Sequence, residues 1–350
     1  MKQAVIIASA RAGHLSQLTR DRPIAMLPVL GKPLVVRVMD RLREAGIREF
    51  IVVVGEHDGA VASYLNTGWV PDAKIQIVLQ TSQRGAAGAL EAASNYITGP
   101  FLLAACDHLV SAEHIEALIE HFSSTQTELV LSTIASGEVA SPLPSITVDG
   151  DMVRGISTSP SKERRGLSAF LLYACSKLIL NHTAASSFND DELTPTIQEM
   201  LSGGAKIGYV TTDWHMQLAN EIDLLTINKR VLREGRDTHI LSELPSSVHI
   251  TPPVRIDPQV SIGANARIGP NVYLESGAHI GQGTTIWDSV ILHNADLADD
   301  TIVHNQIVGR RMRISEEVGD AEKTLPARPK DWEARMIANG KDSGQDGDAN

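Results

Sequence analysis

Asp107 closes an apolar run, Phe101-Leu102-Leu103-Ala104-Ala105-Cys106. The carboxyl end of a buried strand is where open α/β sheets bind ligands. A carboxylate there suits Mg²⁺, which takes one or two carboxylates together with phosphate oxygens. Capping the following helix is the plainer role open to the same residue. A second chemical segment follows the apolar residues Ala4–Ala8, where Arg11 and His14 occupy a loop and Arg20 and Arg22 lie just beyond. Arginine offers phosphate a permanent bidentate fork, whereas histidine offers a proton or a weak charge. Lys162, Arg164 and Arg165 form a basic cluster, a type of sequence that is more often a solvated loop than an anion site.

The elements that must position these residues are legible as alternating aliphatic runs and helical patterns. Ala4–Ala8, Phe50–Val54, Ile75–Leu79, Phe101–Ala105 and Leu129–Ile134 read as buried strands. Leu34–Ala45, Ala60–Leu65, Gly88–Tyr96 and Ala112–Phe122 read as helices between them. This alternation predicts βαβ units and a parallel sheet covered on both faces. Asp149-Gly150 predicts a hairpin between Ile146–Val148 and Met152–Ile156. Ala169–Tyr173 and Ile207–Val210 follow as strands, Leu193–Leu201 and Ile222–Leu232 as helices.

From residue 248 the texture changes. Ile250, Ile256, Ile262, Ile268, Leu274, Ile280, Ile286 and Leu292 recur every six residues, and Leu297, Ile302 and Ile307 continue the pattern more loosely. A hexapeptide period is the signature of a parallel β-helix, with aliphatic side chains stacked inside a prism and small residues such as Gly263, Gly269 and Gly281 at its corners. The open end of such a coil must be covered by the first domain or by a partner subunit. The segment from about 316 is charged and aperiodic apart from a short helical pattern at Trp332–Ile337, and Asn339–Asn350 has the composition of a disordered tail.

Composition narrows the function classes. The 350 residues carry a net charge of −11, which argues against nucleic acid or an anionic membrane surface as a partner. Two cysteines, Cys106 and Cys175, are too few for a disulfide framework or a cysteine zinc site. No apolar run reaches the roughly 18 residues of a membrane span. The N-terminal run is short and meets Arg11 at once, so it reads as a first strand rather than a signal peptide, and the chain as cytoplasmic. Aromatic residues are only 4%, which places the apolar content in Ala, Val, Ile and Leu, residues suited to parallel strands and stacked coils.

Four segments in order resemble the sugar-1-phosphate nucleotidyltransferase family. Ala8-Ser9-Ala10-Arg11-Ala12-Gly13-His14-Leu15 stands at the place of its glycine-rich loop, which is not retained, whereas Met26-Leu27-Pro28-Val29 and Gly31-Lys32-Pro33 keep the framework after it. Ala10 and Ala12 stand where that family keeps glycines, His14 where it keeps arginine, and Ile24 where it keeps lysine. Gln80 through Leu90 retains the spacing of the base-contacting Gln and Gly, here Gln80 and Gly85. Cys106-Asp107-His108-Leu109 resembles the strand end that carries a magnesium carboxylate. Trp214 through Asn228 resembles the segment with the second metal ligand, whose carboxylate falls at Met216, with Asn220 as its replacement. The family's phosphate-contacting lysine falls at Ser159.

The resemblance implies a Rossmann-like, mostly parallel sheet with flanking helices over residues 1–240. A short left-handed parallel β-helix would cover 248–314, and a polar tail 316–350. It implies Ala8, Ala10, Gln80 and Gly85 at the nucleotide, His14 and Arg11 at the reacting phosphates, Asp107 and Asn220 at Mg²⁺. The substrates would be a nucleoside triphosphate (or a nucleotide sugar) and a sugar or polyol 1-phosphate, in a homo-oligomer or with a partner subunit. The altered phosphate-handling positions leave a catalytically inactive, nucleotide-sugar-binding regulatory subunit as the alternative. A hexapeptide acyltransferase using His279, His293 or His304 is a further one.

Overall fold

In Gln3–Ile7 (β1) every side chain is buried, as an aliphatic run without alternation requires when both faces of a strand are covered. The computed structural model describes residues 1–9, 15–69, 72–81, 85–135, 143–158, 166–185, 193–235 and 237–315. The expected site residues Ala10, Arg11 and His14, the basic cluster Lys162, Arg164 and Arg165, and the tail from 316 lie outside them.

After β1 come a small hairpin, β2 (Pro28–Val29) and β3 (Lys32–Pro33), and helix α1 (Leu34–Glu44). Strand β4 (Glu49–Gly55), helix α2 (Gly59–Thr67), strand β5 (Lys74–Gln80) and helix α3 (Gly85–Ala93) follow. Then come β6 (Phe101–Ala105), a short β7 (His108–Val110), α4 (Ala112–Ser124) and β8 (Leu129–Ala135). The hairpin β9 (Ser145–Asp149) and β10 (Met152–Ser157) forms where Asp149-Gly150 places it. The α/β part ends with β11 (Leu167–Cys175), α5 (Thr194–Ser202), β12 (Ile207–Thr212), β13 (His215–Gln217) and α6 (Asp223–Arg233).

Nine of these strands form one sheet in the order β5-β4-β1-β6-β11-β8-β12-β10-β9. It is mostly parallel, with β11 and β10 running against the rest. Alternate residues of each strand feed opposite cores: Ala4, Ile6, Phe50 and Val52 join one, and Val5, Ile7, Ile51 and Val53 the other. The sheet therefore holds the ends of β1, β4, β5 and β6 side by side. Helix α4 is started by Ser111, whose hydroxyl accepts the His114 N–H at 3.2 Å, so the helix cap falls to Ser111 rather than Asp107.

Residues 249–315 build three sheets whose parallel strands recur in rotation. The first contains β14 (His249–Ile250), β17 (Arg267–Ile268), β20 (Thr285–Trp287) and β23 (Ile302–His304). The second contains β15 (Val254–Ile256), β18 (Val272–Leu274), β21 (Val290–Ile291), β24 (Gln306–Gly309) and an antiparallel β25 (Met312–Ser315). The third contains β16 (Ser261–Ile262), β19 (His279–Ile280) and β22 (Asp296–Leu297). Ile256, Ile262, Ile268, Leu274, Ile280 and Ile286 stack in a separate core between these sheets, as a hexapeptide prism requires. Gly281 sits at a corner so tight that a Cβ would come 2.5 Å from the Ala298 carbonyl carbon.

The hexapeptide reading needs one correction. Leu274 pairs with Ile291, not with Leu292, so one corner is a residue short and the inward phase shifts. Ile291, Leu297, Val303 and Val308 fill the prism beyond this point. Leu292 and Ile307 face the α/β part and join its core together with Tyr273, Val290 and Ile314, while Ile302 is 56% exposed. The aliphatic run was thus covered along its side by the first part of the chain. Truncating Ile291 to Ala should cost about 2–5 kcal/mol in urea unfolding, the cost of a core cavity, against less than about 0.5 kcal/mol at Ile302. Equal losses at both positions would contradict the shifted phase.

Candidate functional site

The carboxyl ends of β1, β5 and β6 open onto a cavity of about 880 Å³, within the range of small-molecule sites. On one side, Ser9 donates its hydroxyl to Gln80 Oε1 at 2.6 Å, and Gln80 Nε2 donates to the Gly85 carbonyl at 3.0 Å. Gln80 is buried at the end of β5, and Gly85 opens α3 with φ +52°, so the strand-to-helix turn is locked by an amide side chain. An amide so held keeps one N–H and one lone pair for a ligand. Ala8 does not line the cavity: its N–H is spent on the Val53 carbonyl at 2.8 Å, and its neighbours Ile7 and Ser9 line it instead.

Asp107 follows β6 and lines the same cavity. Burial pushes its carboxyl up to about 6, because charge is costly away from water; a backbone hydrogen bond partly offsets this. Beside it, β7 pairs with β13, bringing Gln217 opposite His108, and the Leu218 N–H donates to the Asp107 carbonyl at 3.0 Å. Gln217 also lines the cavity, and its Oε1 is buried with no hydrogen-bond partner. Asn220, expected at the metal, is instead exposed outside the lining, its N–H held by Asp223 Oδ2 at 2.6 Å. Met216 packs against the core, as the alternation of β13 demands when Gln217 faces the cavity.

Behind Asp107 lies a buried aromatic cluster. His108 Nδ1 and His215 Nε2 share a hydrogen bond of 2.8 Å, His215 stacks on Phe170 at 4.0 Å, and His114 Nε2 meets Ser132 Oγ at 2.9 Å. Burial lowers His108 and His114 to about 4 and His215 further still, the last also through its histidine neighbours. All three are neutral at pH 7. On unfolding each regains its ordinary value near 6.5 and takes up a proton below it, so the folded state loses stability as pH falls from about 6.5 toward 4. Each contributes about 1.4 kcal/mol per pH unit within that window. His114→Gln should flatten the acid limb of a urea stability profile by one such increment; an unchanged slope would contradict a neutral buried His114.

Another wall is the loop Thr19–Ile24 with Glu56, His57 and Asp58. Ile24 is 5% exposed, an apolar side chain where the resemblance implies a lysine. Arg22 donates from Nη1 and Nη2 to the two carboxylate oxygens of Glu275, at 2.7 and 3.4 Å. The prism histidines lie elsewhere: His279 Nδ1 is 3.2 Å from Ser261 Oγ, His293 Nδ1 is 2.5 Å from the Ser276 carbonyl oxygen, and His304 stacks on Trp287 at 4.6 Å. None of the three lines the cavity. No cluster of three or more His, Cys, Asp or Glu suited to a metal occurs among the described residues, and no helix among them is long and apolar enough to cross a membrane.

Sequence reasoning located Gln80, Gly85 and Asp107 but did not single out Ser9, Gln217 or Phe170 for the site. Ser9 and Gln217 stand inside quoted motif segments, where only the side-chain direction was missing. Phe170 lies in the strand read at Ala169–Tyr173, but nothing in its spacing places it at the site, since β11 enters the sheet between β6 and β8 by a long-range antiparallel pairing.

Residues 3–214 match the family model for nucleotidyl transferases, and residues 250–325 match that of the GMPPB C-terminal domain. The bifunctional protein GlmU of Methanococcus maripaludis is 23% identical over 66% of this chain, which spans 54% of that relative, about half its length. GlmU of an Exiguobacterium species is 24% identical over 92% of this chain and 72% of its own. The UTP–glucose-1-phosphate uridylyltransferase AglF of Haloferax volcanii is 31% identical over 31% of this chain and 45% of its own. Two solved structures share the fold. The inositol-1-phosphate CTP transferase of T. maritima has a TM-score of 0.56 at 18% identity, covering 64% of this chain and 91% of its own. The UDP-glucose pyrophosphorylase of Acinetobacter baumannii has 0.58 at 17%, covering 67% and 95%. With a sheet, a cavity at its strand ends and a family match over most of its length, the chain belongs to the nucleotidyl transferase family.

Proposed function

We propose that the chain binds a nucleoside triphosphate and transfers its nucleotidyl group to a sugar or polyol 1-phosphate, releasing pyrophosphate. The observation that carries this reading is one cavity lined by both the Ser9–Gln80–Gly85 network and Asp107. In the reaction a phosphate oxygen of the acceptor attacks the α-phosphorus. The bond from that phosphorus to the β-phosphate oxygen breaks, and pyrophosphate leaves with the electron pair. Gln80 and Gly85 would orient the base, and Arg20 and Arg22 lie on the loop that would face the phosphates.

Asp107 and the unpartnered Gln217 Oε1 are oxygen donors of the kind a hard cation takes, so the residues fit Mg²⁺. When bound there, the ion would offset charge on the phosphates. The rest of this reading includes the 249–315 prism as a left-handed β-helix, supported by its three parallel sheets.

A non-catalytic, nucleotide-sugar-binding subunit is the second reading. It is favoured by Ile24 in the wall and by the commitment of Arg22 to Glu275. Pyrophosphate release from each nucleoside triphosphate, with Mg²⁺ and a panel of sugar and polyol 1-phosphates, separates the two. Turnover with any pair supports transfer; tight nucleotide binding without turnover by any pair supports the regulatory reading.

A further inference from the structure

We propose that Glu275, a carboxylate carried by the prism, withholds the Arg22 guanidinium from a bound nucleotide and so limits how tightly the cavity holds its phosphates. The inference rests on the nucleotide-binding reading above.

Among the described residues lining the cavity, Asp21, Glu56, Asp58 and Asp107 are carboxylates, and Arg20 and Arg22 carry the guanidinium groups. A triphosphate entering this wall meets more negative charge than positive. Arg22 cannot offset it as it stands, because its fork is already closed on both oxygens of Glu275 at 2.7 and 3.4 Å. A guanidinium paired in this way presents no net charge to a ligand, and a phosphate must displace the carboxylate to use it.

The structure holds Glu275 firmly in place. Leu274 points into the prism, so its successor points out, toward the α/β part, on the same sheet face as Tyr273. The Glu275 N–H donates to the Ile291 carbonyl at 2.8 Å, and its Oε2 accepts the His293 N–H at 2.7 Å. The Glu275 side chain is 13% exposed and that of Arg22 27%, so solvent screens the pair only in part. Arg22 lies on the Thr19–Ile24 loop, and the fork therefore ties the cavity wall to the coil. The coil thereby acts on the site through one charge.

Glu275→Gln tests this directly. The amide keeps the length of the side chain and can still accept the His293 N–H, but it no longer neutralises Arg22. Binding is measured by calorimetry with ATP, CTP, GTP, UTP and dTTP, the matching monophosphates, and inorganic tripolyphosphate. Glu275→Gln should tighten the triphosphate that binds, and tripolyphosphate, by about five- to tenfold, with a smaller gain for the monophosphate. The gain should vanish in the Arg22→Gln/Glu275→Gln double variant, which a general loosening of the coil would not produce. Unchanged or weaker triphosphate binding in a variant with wild-type melting temperature overturns the inference. If the wild-type chain binds triphosphate and only this response is flat, nucleotide binding stands and the role of Glu275 alone is overturned. If neither protein binds any probe, both fall.

Discussion

Asp107→Asn reduces pyrophosphate release at least about 10²-fold while making the folded chain more stable. The loss follows from removing the one carboxylate at the end of β6 beside the Ser9–Gln80–Gly85 network; a preorganised charge-stabilising group is typically worth 10²–10³ in rate, roughly 3–4 kcal/mol. The gain has the opposite origin. Burial raises the Asp107 carboxyl from its ordinary 3.8 to about 6, so the folded state binds its proton more tightly than the unfolded state does. The resulting penalty is absent below about pH 4, grows through the interval, and is complete above about pH 6. At pH 7.5 it amounts to about 2–3 kcal/mol, and a neutral amide escapes it. Urea unfolding in chelator at pH 7.5 and at pH 4 measures the difference, which should be large at the first and near zero at the second. A less stable Asp107→Asn at pH 7.5 would sink the stability half, and undiminished pyrophosphate release the catalytic half.

Tyr273→Ala should cost about 3–5 kcal/mol of stability. Tyr273 is completely buried, faces out of the prism and joins the core of the α/β part, so its ring bridges the two halves. Its hydroxyl donates to Asp257 Oδ2 at 2.7 Å, and Arg255 Nε donates to the other oxygen of the same carboxylate at 2.7 Å. Tyr273→Phe keeps the ring and removes one hydrogen bond from a buried carboxylate, which should cost about 1–3 kcal/mol. Denaturant unfolding of the three proteins orders them wild type, Phe, Ala. A cost for Tyr273→Ala below about 1.5 kcal/mol would mean that the coil contributes little to the stability of the whole.

The wall of the cavity shows where reading residues in order stopped being enough. Gln80 and Gly85 were legible through the spacing they share with the family they resemble, and Asp107 because it closes a strand whose aliphatic run announces it. The family spacing puts the second metal ligand at Met216, with Asn220 as its replacement, whereas Gln217 lines the cavity with Asp107. A shift of one residue along β13, from Met216 to Gln217, exchanges the inward and outward faces, and only the pairing with β7 fixes which of the two faces the cavity. Leu292 was misplaced for the same kind of reason. The hexapeptide spacing continues through it, but a corner shortened by one residue hands its place to Ile291.

Aliphatic runs, helical spacing and the hexapeptide period determine by themselves a covered sheet followed by a stacked coil. These patterns are local and repeat, so hydrophobic burial reads the same from every window. The tertiary structure alone decided the antiparallel entry of β11, the phase of the coil after Ile286, the three neutral histidines behind Asp107 and the closure of Arg22 on Glu275. Each depends on partners far apart in the chain, and neither a residue's charge nor its spacing says which distant group will neutralise it.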